Sequence, residues 1–414
     1  MLTDRLMATW SSCRKRTCLL WCILFSLTGG PALGANARFL PLNFSGIAAL
    51  SADGQVVAGR IGNASVLWTE ARGVERFPVP PGLSLRYVND LSGDGTTIVG
   101  GVQVGSGLTG HYEPFRWTRE GGYQLLGSLS TDWLDDAYAT ATSYNGDVIV
   151  GTNRTPEGRR AFRWTPATGL VNLGTLGTTN PYYDPFSEAE AVTDDGSITV
   201  GTVSTDEDAY YKPFLWTESG GFNLIGLPAA PHPGPGGIPA GGASRVSGDG
   251  KVVTGASQVV GDLKYFSWTA EGGFVPLQAG ADINTAIANS ISRDGSTIVG
   301  TEILWNVPAP GKTTTHASIW RLAKDGYQFA RVADVLAASG VDISGWQLTN
   351  VYGVSADGRT LLGIGVDPQG INRAWYAVLS VPEPAAGAIA AIAVSMTGCV
   401  ANMRPSRRLR RPQG

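Results

Sequence analysis

Between residues 46 and 380 short apolar runs alternate with clusters of Gly, Asp, Asn and Ser, and the alternation recurs. A Ser or Thr, any residue, an Asp or Asn and a Gly are followed by a second Gly at a fixed distance. The pattern stands at Ser51, Asp53, Gly54 and Gly59, and at Ser92, Asp94, Gly95 and Gly100. It recurs at Ser143, Asn145, Gly146 and Gly151, at Thr193, Asp195, Gly196 and Gly201, and at Ser247, Asp249, Gly250 and Gly255. The last copies are Ser292, Asp294, Gly295 and Gly300, and Ser355, Asp357, Gly358 and Gly363. Asp-Gly between apolar runs signals a hairpin, because a type I′ turn needs positive φ at both central residues. Each copy therefore predicts a strand, a tight type I′ turn and a second strand.

A third run follows and ends in Trp, as in Val66-Leu67-Trp68, Phe115-Arg116-Trp117, Phe162-Arg163-Trp164, Phe214-Leu215-Trp216, Phe266-Ser267-Trp268 and Ile319-Trp320. The repeated Trp predicts packing between repeats. A Gly turn then leads to a fourth run, such as Tyr123–Leu126, Leu170–Leu173, Phe222–Ile225 and Phe274–Leu277. Four strands in each of seven repeats predict an all-β, seven-bladed β-propeller over residues 38–380. The seventh repeat has a third strand at Arg373–Ser380, with Trp375 out of register, and lacks a fourth. Phe39-Leu40-Pro41-Leu42 matches Phe274-Val275-Pro276-Leu277 and precedes the first repeat. An N-terminal strand that completes the last blade would close the ring.

Composition agrees with a many-turned β protein: 56 Gly, 24 Pro and 16% charged residues in 414. The net charge of −3 conceals an asymmetry. Basic residues concentrate at the two ends, and the body over 38–384 carries a net −11. An acidic body disfavours nucleic acid as a partner. Cys13, Cys18, Cys22 and Cys399 all lie in the end segments, so no disulfide, cysteine cage or Cys nucleophile is expected in the repeats.

The two ends have the form of addresses. Arg14, Lys15 and Arg16 precede the apolar run Leu19–Leu27, and small residues follow, the order of a secretory signal peptide over residues 1–37. Cleavage is expected after Gly34 or Ala37. At the other end Val381, Pro382, Glu383 and Pro384 precede the apolar stretch Ala385–Met403, and Arg404, Arg407, Arg408, Arg410 and Arg411 follow it. A helix of that length, at about 1.5 Å per residue, just crosses a bilayer core. The Arg cluster would hold its end on the cytoplasmic side.

This tripartite tail over 381–414 resembles the PEP-CTERM sorting signal. The resemblance implies a transmembrane sorting helix, cleavage near Pro-Glu-Pro by an exosortase-type enzyme, and delivery to the cell surface or extracellular matrix after transient inner-membrane anchoring. The body resembles the HAF-repeat family of extracellular proteins. Its His-Ala-Phe element appears in degraded form at Glu113-Pro114-Phe115, Arg160-Ala161-Phe162, Lys212-Pro213-Phe214 and His316-Ala317-Ser318. That resemblance implies a location and a repeat, not a chemistry.

His111, His232 and His316 lie in different repeats, without metal-ligand spacing. One Asp per hairpin is explained by turn chemistry, and a hard cation needs six or more oxygens. No metal or cofactor is therefore expected. The unrepeated residues are more informative. In an up-and-down blade the first-to-second and third-to-fourth turns share one face, where the tight turns fall. The long variable segments fall on the other: Val102–Glu113, Ser128–Asp136, Thr175–Ser187, Ser204–Lys212, Pro228–Gly241, Glu302–His316 and Arg331–Leu348. Loops on a rigid scaffold carry function. There Trp133, Tyr182, Tyr183, Tyr210 and Tyr211 offer flat faces for sugar rings, beside the carboxylates Asp135, Asp136 and Asp184. The expected function is a non-enzymatic binding or structural protein of the surface or matrix, with exopolysaccharide or another surface protein as partner. The alternative is a secreted glycosidase or lyase acting through Asp135 and Asp136 or Asp184.

Overall fold

A computed structural model of the chain describes residues 37–380, apart from 63, 106–109, 131–135, 178–184, 206–210, 227–240, 260–261, 279–284, 306–308 and 310. Both end segments lie outside the described residues, so the signal peptide and the sorting helix do too. Seven antiparallel four-stranded sheets follow one another, each with its strands paired in order. Blade 1 holds β2 (Gly46–Leu50), β3 (Val56–Ile61), β4 (Ala64–Thr69) and β5 (Gly73–Arg76). Blade 2 runs from β6 (Leu83–Leu91) to β9 (Gly122–Leu125), and blade 3 from β10 (Ala137–Thr142) to β13 (Gly169–Gly174). Blade 4 spans β14 (Ser187–Val192) to β17 (Gly221–Leu224), and blade 5 spans β18 (Gly241–Val246) to β21 (Gly273–Pro276). Blade 6 spans β22 (Thr285–Ile291) to β25 (Gly326–Arg331). Blade 7 combines β26 (Gln347–Val354), β27 (Thr360–Val366) and β28 (Asn372–Val378) with the N-terminal β1 (Arg38–Leu42).

Ring closure follows the predicted pairing. Phe39 lies opposite Ala377 and Pro41 opposite Trp375, as Phe274 lies opposite Trp268 and Pro276 opposite Phe266 in blade 5. The Phe39 ring meets Trp346 edge-on at 5.1 Å and stacks near Trp375 at 6.0 Å. Trp375 thus takes the place of the repeated Phe rather than the repeated Trp, which explains its shift in register. The repeated Trp packs between blades as expected. Trp68 lies 5.3 Å from Tyr376 of blade 7, and Trp117 lies 4.7 Å from Phe77, just after blade 1.

The turns differ from the type I′ expectation. The Gly54 N–H donates to Ser51 O (2.9 Å), so Gly54 ends the turn instead of sitting at its centre, with φ +74°. This is a type I turn closed by a left-handed Gly. The reason lies in the side chains. The Ser51 hydroxyl donates to Asp53 Oδ1 (2.6 Å) and accepts from the Val56 N–H (2.9 Å), while Asp53 Oδ1 accepts from the Gln55 N–H (2.9 Å). The Ser51 hydroxyl thus takes the Val56 N–H in place of a backbone carbonyl, while the Ser51 N–H keeps its cross-strand bond to Val56 O (2.9 Å).

These turns also bond to one another around the ring. Backbone N–H groups of Ala52, Asp94, Tyr144, Asp194, Asp249, Arg293 and Ala356 donate to Gly93 O, Tyr144 O, Asp194 O, Gly248 O, Arg293 O, Ala356 O and Ala52 O at 2.7–3.2 Å. The belt joins blade to blade and returns to its start.

The second Gly has a separate cause. Every innermost strand carries a bulge, for instance between Ala139 and Ala141. The bulge turns the Tyr138 carbonyl toward Gly151, where a Cβ would meet it at 2.2 Å and the Phe162 ring at 2.6 Å. A larger residue therefore cannot stand there.

Some predicted loops are shorter than expected because strands extend into them. β7 (Thr97–Val104) and β8 (His111–Thr118) claim half of 102–113, and β23 (Thr297–Trp305) and β24 (Thr313–Ala323) just over half of 302–316. The stretch 331–348 contains α1 (Val332–Ala338), whose Val332 and Leu336 are buried against Leu348, Val351 and Trp375.

Candidate functional site

The connections of the loop face begin where the strands end. Blade-to-blade segments cover 126–136, 175–186, 225–240 and 332–346, whereas third-to-fourth turns cover only 70–72, 119–121, 166–168, 218–220 and 270–272. Two of the predicted site residues are described. Asp136 is exposed at the entry to β10, and its carbonyl accepts from the Arg154 N–H (2.8 Å). Tyr211 opens β16 (Tyr211–Thr217), is 37% exposed and stands edge-on to Phe186 at 4.5 Å. Trp133, Asp135, Tyr182, Tyr183, Asp184 and Tyr210 lie outside the described residues.

Around this pair the structure adds groups that the sequence reading missed. The Arg86 guanidinium lies over the rings of Tyr87 (5.4 Å) and Tyr112 (5.6 Å), and its Nε donates to Tyr87 Oη (3.2 Å). That hydrogen bond, with the nearby charges, raises its pKa, and Asp136 acts in the same direction. Arg159 pairs with Glu188 between blades 3 and 4.

A second polar site lies on the axis. The innermost strands enclose a cavity of about 200 Å³ that runs from the bulges to the belt of turns. The bulged residue always stands three positions before the Ser or Thr of the repeat. Around the ring it is Ala48, Asn89, Thr140, Glu190, Ser244, Asn289 and Tyr352. Several of these side chains bridge blades. Asn89 Nδ2 donates to Ala139 O (2.6 Å), Thr140 Oγ1 to Ala189 O (2.6 Å) and Asn289 Nδ2 to Val351 O (2.9 Å).

The next position holds Asp90 in blade 2 and Arg245 in blade 5. Asp90 Oδ2 accepts from the Thr142 N–H of blade 3 (2.9 Å). Arg245 donates from Nε to Asn289 O (2.7 Å) and from Nη1 to Ser244 O (2.6 Å). Loss of water pushes the Asp90 carboxyl up to about 6, against backbone N–H bonds and the Arg245 charge. Desolvation also raises Glu190, again opposed by Arg245.

At the turn end the variable residue of the repeat forms a ring of Ala52, Gly93, Tyr144, Asp194, Gly248, Arg293 and Ala356. Arg293 Nε pairs with Asp194 Oδ2 (2.8 Å), and its guanidinium lies 5.5 Å from the Tyr144 centroid. Their neighbours are small by necessity. A Cβ on Gly93 would meet the Tyr144 ring at 2.3 Å, and one on Gly248 the Asp194 carboxylate at 2.6 Å. Burial raises Asp194, and Arg293 holds it back. Sequence reasoning missed these residues because it treated the repeat as scaffold. The signal was the column of unrepeated polar residues at a fixed distance from the repeated Ser. His111 pairs with Glu113 (2.7 Å), and no acid, His and Cys cluster suited to a metal occurs among the described residues.

No family model and no curated protein matches the chain. An oligogalacturonate lyase from Vibrio parahaemolyticus does match in structure, with TM-score 0.50 and 14% identity over 85% of this chain and 99% of that one. The shared fold is a seven-bladed propeller. A structure of prolyl endopeptidases matches with TM-score 0.50 and 10% identity over 84% of this chain. TolB from Acinetobacter baumannii matches with TM-score 0.40 and 13% identity over 75% of this chain. This chain spans 50% of the endopeptidase and 66% of TolB. The likeness is one of fold, and fold does not carry activity.

Proposed function

We propose that this propeller is exported to the cell surface or extracellular matrix and binds exopolysaccharide there through its loop face, without acting on it as an enzyme. The inequality of the two faces carries the reading. Turns of the repeat stay short, while the strands that bound 126–136, 175–186, 225–240 and 332–346 leave much longer connections to the opposite side of the blades. Extra ordered residues cost conformational entropy, so elaboration confined to one face suggests use. The exposed Asp136 and Tyr211, with Arg86 on its tyrosines, supply carboxylate, ring face and guanidinium for sugar hydroxyls. The terminal segments support export. A signal peptide leads the chain out, the C-terminal helix tethers it, and an exosortase-type enzyme releases it at Pro382-Glu383-Pro384.

Retention of the protein on its native exopolysaccharide tests this reading. Trp133→Ala and Tyr183→Ala are expected to lower retention about tenfold, the equivalent of about 1.4 kcal/mol. Their melting temperatures should stay within about 2 °C of the parent, as for surface substitutions. Parent-level retention by both variants would overturn it.

A further inference from the structure

We propose that the axial cavity is a binding site for a small hydroxylated ammonium ion, the chemistry of an unacetylated amino sugar. The argument is one of donors and acceptors. Asn89 Nδ2, the Thr140 hydroxyl and Asn289 Nδ2 each donate to a carbonyl oxygen of the next blade, and Asn289 Nδ2 donates a second time to Thr301 Oγ1 (3.2 Å). The amide oxygens of both Asn residues have no hydrogen-bond partner among the described residues and remain as acceptors. Glu190 adds a carboxylate with no hydrogen-bond partner among the described residues, and Asp90 adds a second carboxyl group. Beside the bulges Arg245 is the single cation among the described residues, with two of its nitrogens bonded to Asn289 O and Ser244 O, while Arg293 lines the turn end of the cavity and is paired there with Asp194. The waist therefore offers many acceptors, few donors and an excess of negative charge. A buried acceptor without a donor is costly, so the complementary occupant is cationic and rich in N–H and O–H.

The cavity limits its size. At about 200 Å³ it falls below the roughly 300–1,000 Å³ of sites for drug-sized molecules, so one small ring fits and a chain does not. An acidic sugar would set its carboxylate against Glu190. An N-acetylated one would lose the charge that Glu190 attracts. The site lies on the axis, apart from the loop face, and stands or falls independently of it.

Calorimetric titration of the full-length protein at pH 7 with glucosamine, glucose, N-acetylglucosamine and glucuronate tests the assignment. Glucosamine is expected to bind, glucose at least tenfold more weakly, and the other two not measurably. Glu190→Gln keeps the shape and removes the charge, and should weaken glucosamine at least tenfold while leaving exopolysaccharide retention unchanged. Absence of glucosamine binding, equal affinity for glucose, or equal glucosamine affinity in a folded Glu190→Gln variant would each overturn it. The preference of the parent for glucosamine over glucose decides the matter even if the variant does not fold.

Discussion

The turn face and the loop face are made by the same seven blades, yet they obey different rules. On the turn face each blade repeats the same Ser or Thr, Asp or Asn, and Gly. Their backbones bond into a belt that passes from Ala52 round to Ala356 and back. The turn glycines also sit close to the blade before them, as Gly54 does to Thr360 and Gly295 to Val252. On the loop face no segment resembles the next. The lesson is that repetition tracks contact between blades. Where each blade must touch its neighbour, the residue is fixed, and where it need not, the residue is free. The cavity combines both rules, because every bulge has the same backbone while its side chain varies around the ring.

The most severe way to break the comparison is to open the ring. Removing residues 38–43 takes away β1, and with it Phe39 beside Trp346 and Trp375 and the buried Leu42. It also leaves β28 as an unpaired edge. At about 1.5–3 kcal/mol for each buried Phe or Leu, the loss amounts to several kcal/mol. Thermal unfolding of the two chains measures it. A truncated chain that melts within a degree or two of the parent would contradict closure through β1.

The next effect falls on the cavity and has a pH signature. The Asp90 carboxyl is raised from 3.8 in the unfolded chain to about 6 in the fold. A raised carboxyl favours folding while protonated, so its contribution is full below pH 3.8 and is lost as pH rises through about 6. The difference amounts to about 3 kcal/mol at most, taking about 1.4 kcal/mol per pKa unit. Asp90→Asn keeps an oxygen for the Thr142 N–H and carries no charge. It should stabilise the protein at pH 7, and the gain should shrink toward zero near pH 4. A stability difference between parent and variant that does not change over this range would refute the raised carboxyl.

The seven blades were legible because their constraints act on backbone and recur. Gly151 is fixed by a carbonyl on its own blade and Gly54 by a neighbouring Thr, and both restrictions appear in the sequence as glycine at a constant spacing. Closure by Phe39–Leu42 was legible because the same residues appear in blade 5. The turn type differs from the expectation because Asp-Gly alone does not reveal that the Ser51 hydroxyl accepts the Val56 N–H and Asp53 Oδ1 the Gln55 N–H. The cavity was hidden for a different reason. Asn89, Glu190 and Asn289 occur in alternating strands, where a polar residue looks like an ordinary solvent-facing position. Only the bulge and the closed ring turn that position inward. Helix α1 was lost because its seven residues are too few to show a helical period.

The smallest effect separates the faces most directly. Asp94 is exposed, yet its Oδ1 accepts from the Ser92 hydroxyl (2.6 Å), the Thr96 N–H (3.0 Å) and the Thr96 hydroxyl (2.8 Å). Ser92 is fully buried, and its Oγ also accepts from the Thr97 N–H (2.9 Å). Asp94→Ala frees the Ser92 hydroxyl and the Thr96 N–H from their shared acceptor. Water reaches the exposed turn and replaces part of the loss, so the cost is about 1 kcal/mol, or roughly 2 °C in melting temperature. Attachment to exopolysaccharide should be untouched, because the turn lies away from the loop segments. Tyr211→Ala should do the reverse. It removes one exposed ring from beside Phe186, with a smaller change in melting and a measurable loss of retention. Both variants can be measured in the same unfolding and retention experiments. If Asp94→Ala loses retention while Tyr211→Ala keeps it, the working face is the one with the repeated turns, and the division of labour drawn from loop length is reversed.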